Sequence, residues 1–274
     1  MLKKRIIFTL LYDNGHFVLS RNFRLQKVGT IDWLQKNYNF AHIAFYIDEL
    51  VVLDVSRSQR DVNRFSETLK ALTKGCFAPI AAGGGVRDLE HARTLLRSGA
   101  DKVVVNSALF DDQRLVANLA QEFGQQCVVG SIDLKRNSDG VFGLYTKNGS
   151  EMKCESVSDL LEKIPSDCVG ELYLNSINQD GTGRGFDLSV LNLCPAGLNL
   201  PIILAGGAGH GLHLLKGLCD KRVDAVATAH LFNFVGDGLK KARALVTEQE
   251  IQLAKWPPPN QVEENLRLTD GVKN

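Results

Sequence analysis

The hydrophobic residues of this chain fall into eight short runs that are rich in β-branched side chains. Most runs are followed by a segment whose apolar residues recur every three to four positions, as on an amphipathic helix. Strands that alternate with helices predict a parallel sheet with helical crossover connections. The predicted strands are Arg5–Leu10, Glu49–Val55, Ala78–Ala82, Lys102–Asn106, Cys127–Asp133, Glu171–Asn175, Ile202–Ala205 and Ala225–Ala227.

Eight strand–helix units predict an α/β fold of the (β/α)8 TIM barrel type rather than an open doubly wound sheet, since such barrels take about 250 residues. We place the barrel over residues 1–246. Residues 247–274 lose strand character, and Trp256-Pro257-Pro258-Pro259 stops any helix there. We predict that they form a loosely ordered C-terminal extension. A partner-binding peptide is the alternative for this segment.

Polar loops interrupt the alternation at two points. Asn137–Cys154, after the fifth predicted strand, contains the turn sequences Ser138-Asp139-Gly140 and Lys147-Asn148-Gly149-Ser150. These turns are typical of a small hairpin insertion. The analogous loop after the first strand contains Asp13-Asn14-Gly15.

An internal repeat relates the two halves of the chain. Pro79–Val86 reads as a strand that runs into glycines, and Pro201–Ala208 repeats this design 122 residues later (201 − 79 = 122). The same offset places Glu49-Leu50-Val51 on Glu171-Leu172-Tyr173. Because sequence repeats reveal architecture, we predict two half-barrels of four strands each.

The glycines that end the third and seventh strands are candidate phosphate sites. Glycine lacks the Cβ that would hold a ligand away from the backbone, and a helix that starts there adds unpaired N–H groups. A tight turn is the alternative for either one, but the repeat places both on the C-terminal rim, where barrel active sites lie. A ligand with a phosphate at each end would fit. With neighbouring loop residues, the candidates are Gly84, Gly85, Asn106, Ser107, Asp180, Gly181, Gly206, Gly207, Ala229 and His230.

Two aspartates end or follow strands at this rim. Asp133 closes an apolar strand, and a buried carboxylate is costly unless it has a partner or a function. We assign it a catalytic or substrate-binding role, with a helix cap as the alternative. Asp180 follows the sixth strand, where a plain Asp-Gly turn is the alternative. His230 either contacts a phosphate or caps a helix.

Composition and charge argue against several classes of function. The 274 residues carry a net charge of +1, which argues against broad binding to nucleic acid or an anionic membrane. No apolar run approaches the ~20 residues that a membrane span needs, and the N-terminal apolar run reads as a first strand rather than a signal peptide. The six cysteines lack metal-ligand spacing, so we predict buried free thiols and a cytoplasmic protein with no metal and no cofactor.

The chain resembles the HisF family, the cyclase subunits of imidazole glycerol phosphate synthase, over roughly residues 1–245. The motifs that carry the resemblance are Lys4-Arg5-Ile6-Ile7, Asp13-Asn14-Gly15, Glu49–Asp54, Gly83-Gly84-Gly85-Val86, Gly99–Val103, Ser131–Arg136, Asp180-Gly181-Thr182 and Ala205–Gly209. The resemblance implies a HisH-like glutaminase that docks on the N-terminal face of the barrel. Ammonia released there would travel through the barrel to an acceptor at the C-terminal rim.

The resemblance also implies an ammonia gate made of four charges at the bottom of the barrel. These are Arg5, Glu49, Lys102 and Glu171. Charges in a barrel mouth are costly unless they pair, so alternating signs form a coherent network. A salt-bridge cluster that serves stability alone is the other interpretation.

One catalytic position departs from the family. HisF proteins use two aspartates as acid and base, at the ends of strands one and five. The residue 122 positions before Asp133 is Leu11, which cannot transfer a proton. Leu19 stands where the family has a lysine, and Asp13, in the turn, is a poor substitute.

Three hypotheses follow from this pattern. The first is a HisF-type subunit that delivers ammonia for amidation of a sugar, similar to HisF-like proteins of surface-polysaccharide synthesis. The second is a true cyclase of histidine biosynthesis that tolerates Leu11. The third is a non-catalytic scaffold that activates the glutaminase.

Overall fold

Eight parallel strands close into a barrel in the computed structural model, which describes residues 3–38, 43–153, 156–230 and 237–254. The strands are β1 Arg5–Asp13, β2 His16–Arg21, β3 Arg24–Gly29, β4 Glu49–Asp54, β5 Ile80–Gly83, β6 Lys102–Val105, β7 Val128–Arg136, β8 Phe142–Thr146, β9 Glu151–Met152, β10 Glu171–Ser176, β11 Ile202–Ala205 and β12 Ala225–Thr228. The barrel order is β1-β4-β5-β6-β7-β10-β11-β12, and β12 pairs with β1 to complete the ring. The (β/α)8 prediction is therefore confirmed.

Helices cover the outside of the barrel. Several begin at a side chain that caps the first turn: Asp61 accepts a hydrogen bond from the N–H of Arg64, and Ser156 accepts one from that of Asp159. The described helices are α1 Ile31–Tyr38, α2 Val62–Thr73, α3 Leu89–Arg97, α4 Ala108–Asp111, α5 Gln113–Phe123, α6 Val157–Glu162, α7 Gly211–Cys219 and α8 Gly238–Glu248. All of these are too short to cross a lipid bilayer.

Alternation along each strand divides the core into two parts. On β1, Ile6, Phe8, Leu10 and Tyr12 pack outward against the helices, because successive side chains point to opposite faces. The intervening residues face the barrel interior. That interior is an apolar cluster of Ile7, Val51, Ala81, Val104, Val129, Tyr173, Ile203, Ala205, Ala225 and Ala227.

Two hairpins extend the barrel above its rim. After β7, the predicted insertion forms β8 and β9, and after β1 the chain forms β2 and β3. The prediction of the first strand as Arg5–Leu10 is too short, because β1 continues to Asp13 and pairs with β2. The fifth predicted strand also starts too early: Cys127 lies in a 3₁₀ turn, Gln125–Cys127, and β7 begins at Val128.

Part of the predicted C-terminal extension is described. Helix α8 ends at Glu248, and Leu253 is buried and pairs with Lys4 beside the first strand. Residues 255–274, including the Pro-rich stretch, lie outside the described residues, so the boundary at 246 stays a prediction.

The prediction of buried cysteines is wrong for the thiols that the structure describes. Cys219 is exposed, and Cys76, Cys127, Cys168 and Cys194 are only partly buried. All five are free thiols. Cys219 closes α7 and faces the solvent there.

Candidate active site

A cavity of about 980 Å³ occupies the C-terminal rim of the barrel. Its walls come from the strand ends and from the loops that follow them. All eleven rim residues singled out from the sequence line it: Gly84, Gly85, Asn106, Ser107, Asp133, Asp180, Gly181, Gly206, Gly207, Ala229 and His230. The structure therefore brings these residues together, while their individual roles stay predictions.

Asp133 lies at the top of the barrel interior and is buried. The amide of Asn175 donates to its Oδ1 at 3.0 Å, and the amide of Asn106 donates to its Oδ2 at 3.1 Å. Burial raises the pKa of Asp133 to about 7, since the two hydrogen bonds only partly offset the loss of hydration. A carboxyl group with this pKa exchanges a proton readily near neutral pH.

Leucines form part of the wall that the first strand and its hairpin contribute, beside polar residues of the hairpin. Leu11 and Leu19 line the cavity together with Leu53 of β4. Asp13 pairs with His16 at the hairpin turn and lines a separate, smaller pocket. Asp133 and Asp54 are the two aspartates of barrel strands that line this cavity, and the Oδ1 of Asp54, at the end of β4, already accepts a hydrogen bond from the N–H of Ser56 at 2.9 Å.

The glycine turns after β5 and β11 need glycine for their own backbone geometry. Gly84 and Gly206 have φ values of 122° and 87°, which L side chains rarely adopt. A Cβ on Gly84 would lie 2.2 Å from the carbonyl oxygen of Asp54, and one on Gly207 would lie 2.2 Å from that of Gly185. Close backbone packing thus accounts for these glycines without a ligand, so the phosphate sites stay a prediction.

The helical segment predicted after the first glycine turn, Arg87–Arg97, is present as α3 and begins two residues later, at Leu89. The carboxylate of Asp88 caps it by accepting a hydrogen bond from the N–H of His91 at 2.7 Å. A self-capped helix end offers fewer free donors to a phosphate. At the second turn, α7 starts after His210, and no side chain caps it by a hydrogen bond within the described residues.

Asp180 and Gly181 hold the first hairpin over the rim. The Asp180 carboxylate accepts hydrogen bonds from the Ser20 hydroxyl at 2.5 Å and from the N–H of Phe23 at 3.0 Å. A Cβ on Gly181 would lie 2.0 Å from the carbonyl oxygen of Ser20. Burial raises the pKa of Asp180, and the two hydrogen bonds oppose that effect.

The remaining polar candidates differ in how fully they are already hydrogen-bonded. The Asn106 amide donates to the carbonyl of Ser131 at 3.0 Å as well as to Asp133, so it serves the carboxylate directly. The Ser107 hydroxyl accepts from the N–H of Lys147 at 3.3 Å. His230 has a buried Nδ1 with no hydrogen-bond partner among the described residues, which leaves it available to a ligand.

The four predicted gate residues form a closed network, here called the charge ring, at the opposite end of the barrel. Arg5 bonds to Glu49 at 2.6 Å and to Glu171 at 2.5 Å, and Lys102 bonds to the same two carboxylates at 3.0 and 2.6 Å. Each member is the first residue of its strand, which places the ring at the N-terminal end. Burial would raise the pKa of Glu171, but Arg5 and Lys102 outweigh it and lower that pKa.

Comparison with known proteins identifies the family. The model of the family described as "Histidine biosynthesis protein" matches residues 13–236. A protein of Parasynechococcus marenigrum (strain WH8102), provisionally named imidazole glycerol phosphate synthase subunit hisF2, is 47% identical over 258 residues, or 94% of this chain and 96% of that protein. Imidazole glycerol phosphate synthase subunit HisF of Streptococcus sanguinis (strain SK36) is 34% identical over 235 residues, 85% of this chain and 92% of its own length. The chain belongs to the HisF family.

Three features of this HisF-family site escaped the sequence analysis. Asn175 donates a hydrogen bond to Asp133. The sequence feature that could have indicated this role is a polar residue near the end of the otherwise apolar strand β10. Tyr173 reaches across the barrel interior and shares a hydrogen bond of 3.0 Å with the hydroxyl of Thr9. Arg57 and Arg60, which follow the end of β4, also line the cavity, and their position just past a strand end was the available signal.

Proposed function

We propose that this chain is the HisF-type synthase subunit of a glutamine amidotransferase that amidates a sugar rather than closing an imidazole ring. The observation that carries the proposal is the cavity wall opposite Asp133, where Leu11 supplies no proton-transferring group. In the resemblance to HisF, ring closure uses an acid–base pair. Amidation adds ammonia to a carbonyl carbon and releases the carbonyl oxygen as water, and the protons that the nitrogen loses can pass one after another to the leaving oxygen through a single carboxyl group such as Asp133.

The order of residues along the barrel strands supports a route for ammonia. From bottom to top, the inward-facing residues of β1 are Arg5 in the charge ring, Ile7 in the apolar cluster, and Thr9 and Leu11 at the cavity. An apolar passage favours neutral ammonia over ammonium, because an ion loses its hydration there. The charge ring is the entrance in this proposal, and one ion pair must open to admit each molecule.

A HisH-like glutaminase is the proposed partner, and it docks on the N-terminal face around the charge ring. In the ring, Arg5 and Lys102 keep 23% and 21% of their side chains exposed, so a docked partner can contact both cations. A partner that drew either cation away would remove one of the two counter-ions of each buried glutamate. Docking and opening of the ring are therefore energetically linked.

A true cyclase is the second candidate. Two observations favour it: the relatives carry the name of imidazole glycerol phosphate synthase subunits, and the pKa of Asp133, at about 7, suits general acid–base chemistry. With Asp133 alone, both proton transfers of ring closure would depend on one group. Loss of a general acid or base typically lowers a rate ~10²–10⁴-fold.

The experiment reconstitutes the chain with a HisH-like glutaminase, glutamine labelled with ¹⁵N at the amide, and an acetamido sugar nucleotide with its sugar-modifying protein. The expected result is ¹⁵N in the sugar product, with little dilution by unlabelled ammonium. Lys102→Ala, which removes two ion pairs of the charge ring, should raise that dilution. Lys70→Ala, which removes an exposed helix pair with Glu67, is the control. A parallel reaction replaces the sugar nucleotide with the bis-phosphorylated ribulosyl precursor of histidine synthesis. Labelled imidazole glycerol phosphate in that reaction, with no labelled sugar in the first, would contradict the proposal.

A further inference from the structure

Four of the five arginines that line the rim cavity come from two segments of the chain and have no role in the function proposed above; the fifth, Arg87, follows the first glycine turn. Arg21 and Arg24 come from the hairpin β2–β3, and Arg57 and Arg60 come from the loop after β4. We call this group the arginine lobe. Within the described residues, Arg60 is the one member of the lobe that has an acidic partner: its Nε lies 3.8 Å from Asp54. The lobe therefore carries several positive charges without an acidic partner.

Arg60 shows most clearly that this charge is available to a ligand. Its Nε is buried and has no hydrogen-bond partner among the described residues. The 3.8 Å to Asp54 is too long for a hydrogen bond, and the Oδ1 of Asp54 already accepts from the N–H of Ser56 at 2.9 Å. A buried donor left unpaired is costly, so a bound acceptor would stabilise this arrangement.

The arginine lobe is continuous with the first glycine turn. A Cβ on Gly85 would lie 2.7 Å from the Nη1 of Arg60, so the guanidinium covers the turn directly. Arg57 is tied to the hairpin that carries Arg21 and Arg24, because its Nη2 donates to the carbonyl of Phe23 at 2.5 Å. Guanidinium groups bind phosphoryl oxygens through paired, charge-assisted hydrogen bonds.

We propose that the first glycine turn and the arginine lobe together form a diphosphate site. One phosphoryl group lies at Gly84-Gly85 under Arg60, and the adjacent one lies between Arg57 and the hairpin arginines. A single phosphate can be bound by one such cation, whereas two linked phosphoryl groups can use several guanidiniums that line the same cavity. The ligand class is a small molecule with a diphosphate, such as a nucleoside diphosphate or a sugar linked to one.

This inference deepens the proposed function by naming the class of the sugar acceptor, and it rests on that proposal only for the sugar. Binding of the diphosphate itself does not depend on ammonia transfer. A binding experiment on the isolated full chain can therefore fail while the amidation experiment succeeds, and the reverse is also true.

The test is calorimetric titration of the full chain with inorganic pyrophosphate and, separately, with inorganic phosphate, at constant ionic strength. We expect pyrophosphate to bind about tenfold tighter or more, since charge-assisted hydrogen bonds contribute at that level. Arg60→Gln and Arg57→Gln should each weaken pyrophosphate about tenfold, and Arg60→Lys should recover part of the loss. Arg97→Gln, an exposed helix arginine with a single long contact to Glu90, is the control.

Two results would overturn the assignment. One is equal affinity for phosphate and pyrophosphate in the wild-type chain. The other is a pyrophosphate affinity of Arg60→Gln that matches that of the control variant. Thermal unfolding of each variant establishes that the comparison is made between folded proteins.

Discussion

Replacing Asp133 with Asn should raise the unfolding free energy much more at pH 8 than at pH 4. Burial raises the pKa of this carboxyl group from 3.8 to about 7 in the folded chain. The folded protein therefore holds the proton more tightly than the unfolded chain does. The stability linked to this proton is present below the unfolded pKa and is lost as the pH rises through the folded pKa.

The magnitude follows from the size of the shift. The pKa rises from 3.8 to about 7, roughly three units, and each unit corresponds to ~1.36 kcal/mol. Ionising Asp133 should therefore lower the unfolding free energy by about 4 kcal/mol between pH 4 and pH 8. Asn carries no charge at any pH and removes this loss. The Asn nitrogen cannot accept from Asn106 or Asn175, so the variant loses a hydrogen bond, but that loss is the same at every pH.

The assay is urea-induced unfolding of wild type and Asp133→Asn at several pH values from 4 to 8, at constant ionic strength. The quantity of interest is the difference between the two unfolding free energies, which should grow by several kcal/mol over this window. Ser131→Ala changes a neighbouring interior side chain without a titratable group, and its difference from wild type should stay flat. A flat difference for Asp133→Asn as well would refute the argument that burial opposes ionisation of this group.

Three further substitutions test the framework around the site. Asp48→Ala should lower the unfolding free energy by about 1–3 kcal/mol, because it leaves the buried N–H of Ile6 without an acceptor and removes the carboxylate that the partly buried Arg243 bonds at 2.9 Å; a loss below ~0.5 kcal/mol in urea unfolding would contradict this. Gly84→Ala forces alanine to φ 122° and should cost at least ~1–3 kcal/mol, seen as a lower melting temperature. Tyr173→Phe should cost ~1–3 kcal/mol by orphaning the Thr9 hydroxyl, and the double variant with Thr9→Val should recover part of it, which a double-mutant cycle measures.

The barrel architecture could be predicted from the sequence because the internal repeat places equivalent residues at equivalent positions in both halves of the barrel. The repeat paired Gly84-Gly85 with Gly206-Gly207 and Glu49 with Glu171, and in the structure the glycine pairs share one rim and the glutamates share one ring. The C-terminal ends of the strands in a parallel barrel meet at one rim. Residues that are far apart in the sequence can therefore be predicted to be neighbours even when their side-chain contacts are unknown.

The details that the sequence missed depend on contacts between elements. The hairpin β2–β3 lacked a strong strand pattern, because it lies above the rim and is held largely by Asp180 and by pairing with β1. The sequence pattern places the start of α3 at Arg87, whereas the helix begins at Leu89 after its cap, Asp88, which only the local backbone geometry decides. The hydrogen bond between Thr9 and Tyr173 joins residues on two different strands, and no spacing in the sequence predicts it.

The measurement that tests the central claim most directly is ring closure by the purified chain with ammonia and the bis-phosphorylated ribulosyl precursor of histidine synthesis. The wild-type chain, with Leu11 in the cavity wall, should form no imidazole glycerol phosphate above background. Leu11→Asp should gain that activity, because it places a carboxylate on β1 in the cavity that Asp133 lines from β7. Robust turnover by the wild-type chain would contradict the account, since one carboxylate would then suffice for both proton transfers.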